Sequence, residues 1–399
     1  MPESARDPNR ATTVKIAFIR KTFVLHGGAE RHAADFLNEL TRMGHEVHLF
    51  AHDWSAVGKG EETLRFHPVP MLQWGSFFKT LTFALNARKA VEKEAFDIIQ
   101  SNEKTLRQDI YRAGDGCHKQ WLIERGLYLS PLRRFFIAVN PFHLLTLAIE
   151  KRIFARGNVK RIIAISEMGK KEIVSHYGVD PAIIRVIYNG VDLELFRPPE
   201  NAAEKKALRK RYGIGDEDFC VLFLGSGFER KGVKFLIEAA GILKLQNLKL
   251  VVAGKGKSGV FTSLIEKLGL TGKVLFTGVV KERELLFRAA DIFVFPTIYE
   301  PFGNVHLEAL ASGLPVVTTA KSGAAEILSD GETGYVVEKP DDARAFADAI
   351  ALLAVETRRT RMERNARLLA TRFTFQKNAG EVLALYQEIL NEKKEKQPA

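Results

Sequence analysis

Cysteine is nearly absent: Cys117 and Cys220 are the only two in 399 residues. No disulfide framework can be built on so few, which suits a reducing cytosol. Long apolar runs are lacking too. The most lipid-like stretch, Phe135 to Ile149, is interrupted by Asn140, Pro141 and His143 and falls short of the ~20 residues a spanning helix needs. The first ten residues, Met1 to Arg10, are polar and have no apolar core of the kind a secretory leader carries. The expectation is a cytoplasmic protein, at most peripheral on the inner face of the cytoplasmic membrane. Disorder is excluded by a hydrophobic content of 46%. The length suits two ordinary domains.

Acidic residues are the minority charge, leaving a net +11. The imbalance concentrates between Lys119 and Arg161. There Lys119, Arg125, Arg133, Arg134, Lys151, Arg152, Arg156, Lys160 and Arg161 face only Glu124 and Glu150. Trp121, Leu122, Phe135, Phe136, Ile137, Leu144 and Leu145 are interleaved. A basic amphipathic stretch of this kind reads either as an anionic membrane surface contact over 119–161 or as a helix pair packed on the core with solvated cations. No nucleic-acid fold signature accompanies the charge, so no nucleic-acid partner is expected.

Strands and helices alternate along both halves. Val14–Ile19, His45–Phe50, Phe96–Gln100, Asp109–Arg112 and Arg161–Ile165 read as strands in the first half, with a helix from about Ala29 to Met43. Phe219–Leu224, Leu248–Ala253, Val274–Thr277, Ile292–Phe295 and Pro315–Thr319 read as strands in the second, with helical runs between. Such alternation implies an α/β protein of parallel sheets and crossover helices. The turn-rich segment Tyr188–Pro199 precedes a charged helix, Ala203 to Tyr212. The expected organisation is two doubly wound Rossmann-like domains facing each other across a cleft. They would comprise residues 1–190 on the acceptor side and 191–375 on the nucleotide-sugar side. A C-terminal helix within 376–399 would pack back on the first domain and end in a frayed tail. Ligands of such sheets bind outside the carboxyl ends of the strands.

The most informative segment runs from Tyr299 to Gly313. Glu300 and Glu308 stand eight positions apart, after the apolar run Ile292–Phe295. Pro301 blocks an earlier helix and Gly303 lets backbone approach a ligand. Apolar residues at Val305, Leu307, Leu310 and Ala311 then carry helical periodicity. Glu300 would lie at the helix mouth and Glu308 inside the helix. Unpaired N–H groups at a helix start suit phosphate, and carboxylates accept hydrogen bonds from sugar hydroxyls. Together they describe a nucleotide-sugar site.

Three further segments fit that chemistry. Gly27-Gly28 at a strand-to-helix junction lets amides approach a pyrophosphate. Gly225 and Gly227 end a strand just before Arg230 and Lys231. Cations near a helix N-terminus oppose the helix dipole, and a multiply charged anion in front of them gives a reason to keep them. Asp115 between Gly114 and Gly116, with His118 three residues on, is a polar cluster after a strand. It is a candidate acceptor-side or catalytic group, or simply an Asp in a turn. Two formal motifs are set aside. Gly254–Gly259 matches G-x-G-x-x-G but follows the second strand of its domain and lacks the ribose-binding acid. Asp216-Glu217-Asp218 matches a metal-binding D-x-D but precedes a strand, so it reads as a solvated turn. No obligatory metal or cofactor is expected.

With these residues in hand, the chain resembles the family-four retaining glycosyltransferases of the GT-B fold. The likeness covers essentially the whole chain and is strongest from about 185 to 335. Glu300 to Glu308 matches that family's E-x7-E motif, and Pro315-Val316-Val317 with Gly323 and Glu326 matches its downstream pattern. The resemblance implies that Glu308 binds ribose hydroxyls and that Glu300 contacts the donor sugar. It implies that Arg230 and Lys231 neutralise the diphosphate leaving group. Gly27, Gly28, Gly227 and the amides of Gly303, Asn304 and Val305 would cradle phosphate or sugar. The loop Gly278-Val279-Val280 would meet the base through main-chain groups. Asn304 stands where an apolar residue is more usual. The stretch Ala113–His118 looks like the branch that contains lipopolysaccharide-core glucosyltransferases. The implied reaction is transfer of a hexose, glucose in the first instance, from a UDP-sugar to a glycolipid or lipopolysaccharide-core acceptor, with Arg230, Lys231, Glu300, Asp115 and His118 as catalytic-region groups. The alternatives are a nucleotide-sugar epimerase on the same fold and a non-catalytic anion- or membrane-binding protein.

Overall fold

The structure is a computed structural model that describes residues 13–22, 36–53 and 64–395. The Gly27-Gly28 loop lies outside the described residues, as does the start of the helix expected from Ala29; residues 36–42 of that helix are helical. Two parallel sheets organise the chain. The first contains β1 (Lys15–Ile19), β2 (Glu46–Ala51), β3 (Leu64–Pro68), β4 (Ile98–Ser101), β5 (Ile110–Ala113), β6 (Arg161–Ala164) and β7 (Ile184–Val186). Their order across the sheet is β3-β2-β1-β4-β5-β6-β7. The second contains β8 (Phe219–Leu224), β9 (Leu248–Ala253), β10 (Val274–Gly278), β11 (Ile292–Phe295), β12 (Val316–Thr319) and β13 (Gly334–Val337). Their order is β10-β9-β8-β11-β12-β13. Each order reverses direction once, between β1 and β4 and between β8 and β11, which is the doubly wound pattern expected from the sequence. The structure adds β3, β7 and β13 to the strands read from the sequence.

The strands form because they are apolar and buried on both faces. Phe219 to Phe223 and Ile292 to Phe295 are all essentially inaccessible, as parallel strands under helices on both sides must be. Each large side chain so buried contributes about 1.5–3 kcal/mol. Register places Ile292 opposite Val221 and Phe293 opposite Leu222. The loops after β8 and β11 therefore leave the same end of the sheet side by side and wind to opposite faces, leaving the gap in which such folds bind ligands.

The chain divides into two compact units. One comprises the described residues up to Arg112, Asn140–Ile163 and the chain from Ala379 on; the other comprises Ala113–Val139 and Ala164–Asn378. Within the first, the end of the helix Phe375–Glu395 is held by Tyr386 Oη donating to Gln100 Oε1 at 2.7 Å and by Lys393 Nζ on the Asp97 carbonyl. Within the second, the helices His118–Leu127 and Pro131–Ala138 join the Rossmann-like sheet of β8 to β13.

Candidate active site

The loop after β11 is fixed from both sides. Ile298 N donates to the Arg230 carbonyl at 3.0 Å, and Glu300 N to the Lys321 carbonyl at 2.9 Å. Gly303 then turns with φ +83°, and a Cβ there would lie 2.7 Å from His306 Nδ1 and 2.9 Å from Glu300 Cγ. Only glycine satisfies both the left-handed backbone and the space. The helix Asn304–Ala311 starts at once, so the amides of its first turn face away from the helix body with partial positive charge. Leu307, Ala309, Leu310 and Ala311 are wholly buried, so packing holds this short helix where propensity alone would not.

The three charges read from the sequence converge on one point. The Lys231 ammonium contacts the Glu300 carboxylate, and Arg230 Nη1 lies 3.7 Å from the same carboxylate. Arg230 Nη1 also donates to the Tyr299 carbonyl at 3.3 Å. Arg230 and Lys231 occupy the turn before the helix Val233–Leu243 instead of its first turn. Lys231 and Glu300 are each over nine-tenths buried. Burial, and then the charge of Arg230, pull the Lys231 pKa well below that of an exposed ammonium. The Glu300 carboxylate in contact with it acts in the opposite sense, favouring the charged form. Burial likewise lowers the Arg230 pKa, against the charge of Asp115, which raises it. Asp115 is thus close enough to Arg230 to be felt, although the two are far apart in sequence.

Tyr299, which carried no role in the sequence, explains that proximity. Its hydroxyl accepts from Cys117 N at 3.2 Å and donates to Glu172 Oε2 at 2.7 Å. Burial and Glu172 push its pKa up, so it remains a donor. Gly116, at φ +71°, packs so closely that a Cβ would lie 2.5 Å from Pro301 Cγ and from Tyr299 Oη. The Asp115 turn therefore lies directly against the Glu300 loop. His118 opens the helix His118–Leu127, whose Glu124 receives Lys321 Nζ at 2.9 Å. Trp121 on the same helix stacks at 28° on Tyr299, ring centroids 6.3 Å apart, and Arg230 lies over its indole at 5.7 Å.

The remaining sequence-singled residues fall as follows. Glu308 is inside the helix, 4% exposed, with Arg283 Nη2 2.8 Å from its Oε1; Arg283 carried no sequence signal. Asn304 Oδ1 accepts from Asn189 Nδ2 at 2.5 Å, and Val305 is half-buried in the first helical turn. Val279 follows β10 and is 67% exposed. Glu326 caps another element: its carboxylate accepts from Glu167 N at 2.7 Å and Met168 N at 3.1 Å, at the start of the helix Glu167–Tyr177. Gly227 N donates to the Lys255 carbonyl and Gly254 N to the Gly278 carbonyl, at 2.9 and 2.8 Å. The glycine-rich 254–259 segment thus laces adjacent strand-end loops together. The Asp216–Asp218 segment is a surface turn, with Lys206 Nζ 2.6 Å from Asp216 Oδ2 and Gly215 N donating to Asp218 at 2.6 Å.

A doubly wound sheet with Arg230, Lys231 and Glu300 gathered at its strand-order reversal places charged groups where such folds bind ligands. Residues 204–369 match the family model described as Glycosyl transferases group 1, and residues 26–195 match that described as Glycosyltransferase Family 4. The chain belongs to these glycosyltransferases. It is 25% identical to the lipopolysaccharide glucosyltransferase WaaG of Escherichia coli (strain K12), over 82% of this chain and 85% of WaaG. It is 36% identical to the uncharacterized glycosyltransferase MJ1607 of Methanocaldococcus jannaschii over 47% of this chain, and 35% identical to the D-inositol 3-phosphate glycosyltransferase of Paenarthrobacter aurescens (strain TC1) over 58%. The matched segments span only 49% and 58% of those two relatives' lengths. Among solved structures, a crystal structure of WaaG superposes with a TM-score of 0.79 at 23% identity, covering 93% of this chain and 99% of that one. Anabaena HepE, solved with UDP-glucose, superposes with a TM-score of 0.72 at 20% identity, covering 94% and 100%. Both likenesses support the GT-B fold.

Proposed function

We propose that the protein is a retaining hexosyltransferase that moves glucose from UDP-glucose to a glycolipid or lipopolysaccharide-core acceptor. The observation that carries this reading is the convergence of Arg230, Lys231 and Glu300 beside the start of the helix Asn304–Ala311. WaaG's activity and the UDP-glucose bound to HepE support the choice of donor. Arg230 and Lys231 neutralise the departing diphosphate, the amides from Gly303 to Val305 hold phosphate or sugar, Glu300 accepts from sugar hydroxyls, and Glu308 accepts from the ribose. Both carboxylates are engaged in recognition, so neither serves as the nucleophile a retaining glycosidase needs. The reaction runs on one face of the sugar: the C–O bond to the diphosphate breaks, the acceptor oxygen bonds to the same face, and its proton passes to the departing phosphate. The protein contributes positioning and electrostatic stabilisation. This reading gives the diphosphate charge to Arg230 and Lys231 without a metal, so turnover should survive chelation. Incubation with UDP-glucose and extracted membrane glycolipids, with product stereochemistry read by NMR, is expected to give an α-glucoside from the α-linked donor. A β-product, or sugar conversion without any acceptor, would sink the reading.

The acceptor class implies work at the inner face of a membrane, and the helix Pro131–Ala138 supplies a contact. None of its residues is buried. Leu132, Phe135 and Phe136 are 67, 60 and 61% exposed beside exposed Arg133 and Arg134. Among the described residues no single helix is long and apolar enough to cross a membrane, and Pro131–Ala138 becomes so only jointly with Pro141–Phe154 across a 57° bend. The contact proposed is interfacial, because the exposed apolar side chains of Pro131–Ala138 flank exposed arginines. The protein should bind vesicles containing anionic lipid, and the double variant Phe135→Ser/Phe136→Ser should bind about 100-fold more weakly, the loss of two inserted aromatic side chains. Wild-type protein that ignores such vesicles at every salt concentration would remove the membrane claim.

A further inference from the structure

Next to the Arg230–Lys231–Glu300 cluster lies a hollow of 490 Å³, bounded by Trp121, Arg125, Arg230, Lys257, Phe261 and Ile298 among others. Three features set it apart from the donor site. Lys231, Glu300, Glu308 and Val279 do not line it, so the residues assigned to diphosphate, sugar, ribose and base lie elsewhere; Arg230 and Gly227 alone are shared. Its wall carries three cations, Arg125, Arg230 and Lys257, against the single carboxylate of exposed Glu229. Two of those cations crowd one aromatic ring, the Arg125 and Arg230 guanidinium carbons lying 5.8 and 5.7 Å from the Trp121 indole.

Like charges gathered on one ring repel; Glu300 at 3.7 Å and Asp115 meet part of the Arg230 charge, and the aromatic face compensates each cation by only about 0.5–2 kcal/mol. An anion between Arg125, Lys257 and Arg230 turns that repulsion into attraction, with guanidinium forks that match phosphate oxygens. Trp121 and Ile298 add an apolar wall suited to the C–H face of a sugar ring. The volume fits a ligand of saccharide size. Arg230 lines this hollow and is the residue assigned to the departing diphosphate, so an occupant here would lie beside the phosphate that leaves.

We infer that this hollow is the acceptor subsite and that the acceptor it takes is a phosphorylated saccharide, with its phosphate on Arg125 and Lys257 and its ring against Trp121. The inference rests on the glycosyltransferase reading above. It adds that the acceptor is recognised through a phosphomonoester, and it makes Arg125 and Lys257 determinants of acceptor specificity.

The test uses the full chain saturated with UDP, which keeps a free phosphate out of the donor site. Glucose 6-phosphate, glucose and inorganic phosphate are titrated in separately and followed by ligand-observed NMR and calorimetry. Glucose 6-phosphate should bind at least about tenfold more tightly than glucose. Arg125→Gln/Lys257→Gln should abolish that preference while leaving UDP affinity and the denaturation midpoint unchanged. Trp121→Ala should weaken glucose 6-phosphate and Trp121→Phe should restore it, whereas inorganic phosphate should be indifferent to both. Equal binding of glucose and glucose 6-phosphate, or no binding of either, overturns the subsite. So does a loss of UDP affinity in the Arg125/Lys257 variant, which would return the hollow to the donor. Failure of the wild-type protein to bind UDP at all would instead bring down the glycosyltransferase reading, and the subsite with it.

Discussion

Arg230→Ala is expected to lower kcat for glucosyl transfer by about 10²–10³-fold, the loss of one preorganised charge at the departing diphosphate. That corresponds to about 2.7–4 kcal/mol of transition-state stabilisation. Its side chain is 36% exposed, so folding should survive and the effect should be read in turnover with little change in the denaturation midpoint. Lys231→Ala should differ in kind. It leaves the Glu300 carboxylate, in a site over nine-tenths buried, without its ammonium. Breaking a buried pair from one side costs about 3–5 kcal/mol, so this variant should lose both stability and turnover. The double variant Lys231→Met/Glu300→Gln removes both charges together. It should recover most of the stability and none of the turnover. Urea denaturation beside steady-state kinetics on the three proteins separates the roles. Near-normal turnover in both single alanine variants would refute the leaving-group assignment. A double variant as unstable as Lys231→Ala would show that the pair is not what holds the loop.

The sequence disclosed the fold wherever burial was uniform. Phe219–Leu224, Leu248–Ala253 and Ile292–Phe295 are unbroken apolar runs because helices cover both faces. The strands it did not disclose, β3, β7 and β13, all stand at the edge of a sheet. There one neighbour is missing and burial is partial: Leu64–Pro68 has no fully buried residue, and Ile184–Val186 is three residues long. An edge position weakens the selection for a continuous apolar run and with it the signal, although the edge strand β10 still shows one over Val274–Phe276. The site divides in the same way. Arg230, Lys231 and Glu300 announce themselves because charges in glycine-rich strand-end loops are costly without a purpose, and Glu308 because it is a charge on a largely apolar helix eight positions on. Tyr299, Trp121 and Arg283 do not. Their meaning lies in partners remote in sequence, such as the Cys117 amide, 182 residues from the Tyr299 hydroxyl that receives it. Nothing local marks a buried tyrosine as the tie between two loops instead of core filling. The Asp115 turn could therefore be flagged from sequence as a polar cluster, but its position against the Glu300 loop could not.

His306 lies in the middle of the most informative segment, and its burial gives it a consequence for pH. It is wholly buried, with Nδ1 2.8 Å from the Gly303 carbonyl and Nε2 2.9 Å from Thr318 Oγ1, and the rings of Phe293 and Phe295 edge-on. Burial lowers its pKa to about 4; the bond to Gly303 opposes this and the charge of Lys231 adds to it. The neutral ring therefore belongs to the folded state, while the unfolded chain binds a proton near pH 6.5. Above that pH neither state is protonated and the group costs nothing. As pH falls from about 6.5 to 4 the unfolded chain takes up the proton first, and stability is lost, by ~3 kcal/mol at the lower limit. His306→Gln removes the titration. In urea denaturation the variant should be the less stable protein at pH 7.5, where the imidazole's fit is lost. The gap should close, and can reverse, by pH 4.5, because only the wild type gives up stability through this group. Parallel decline of the two proteins over that interval would show that His306 does not titrate as its burial demands. The folded ring stays neutral until about pH 4, so UDP affinity in the wild type should not follow the stability gap as it closes.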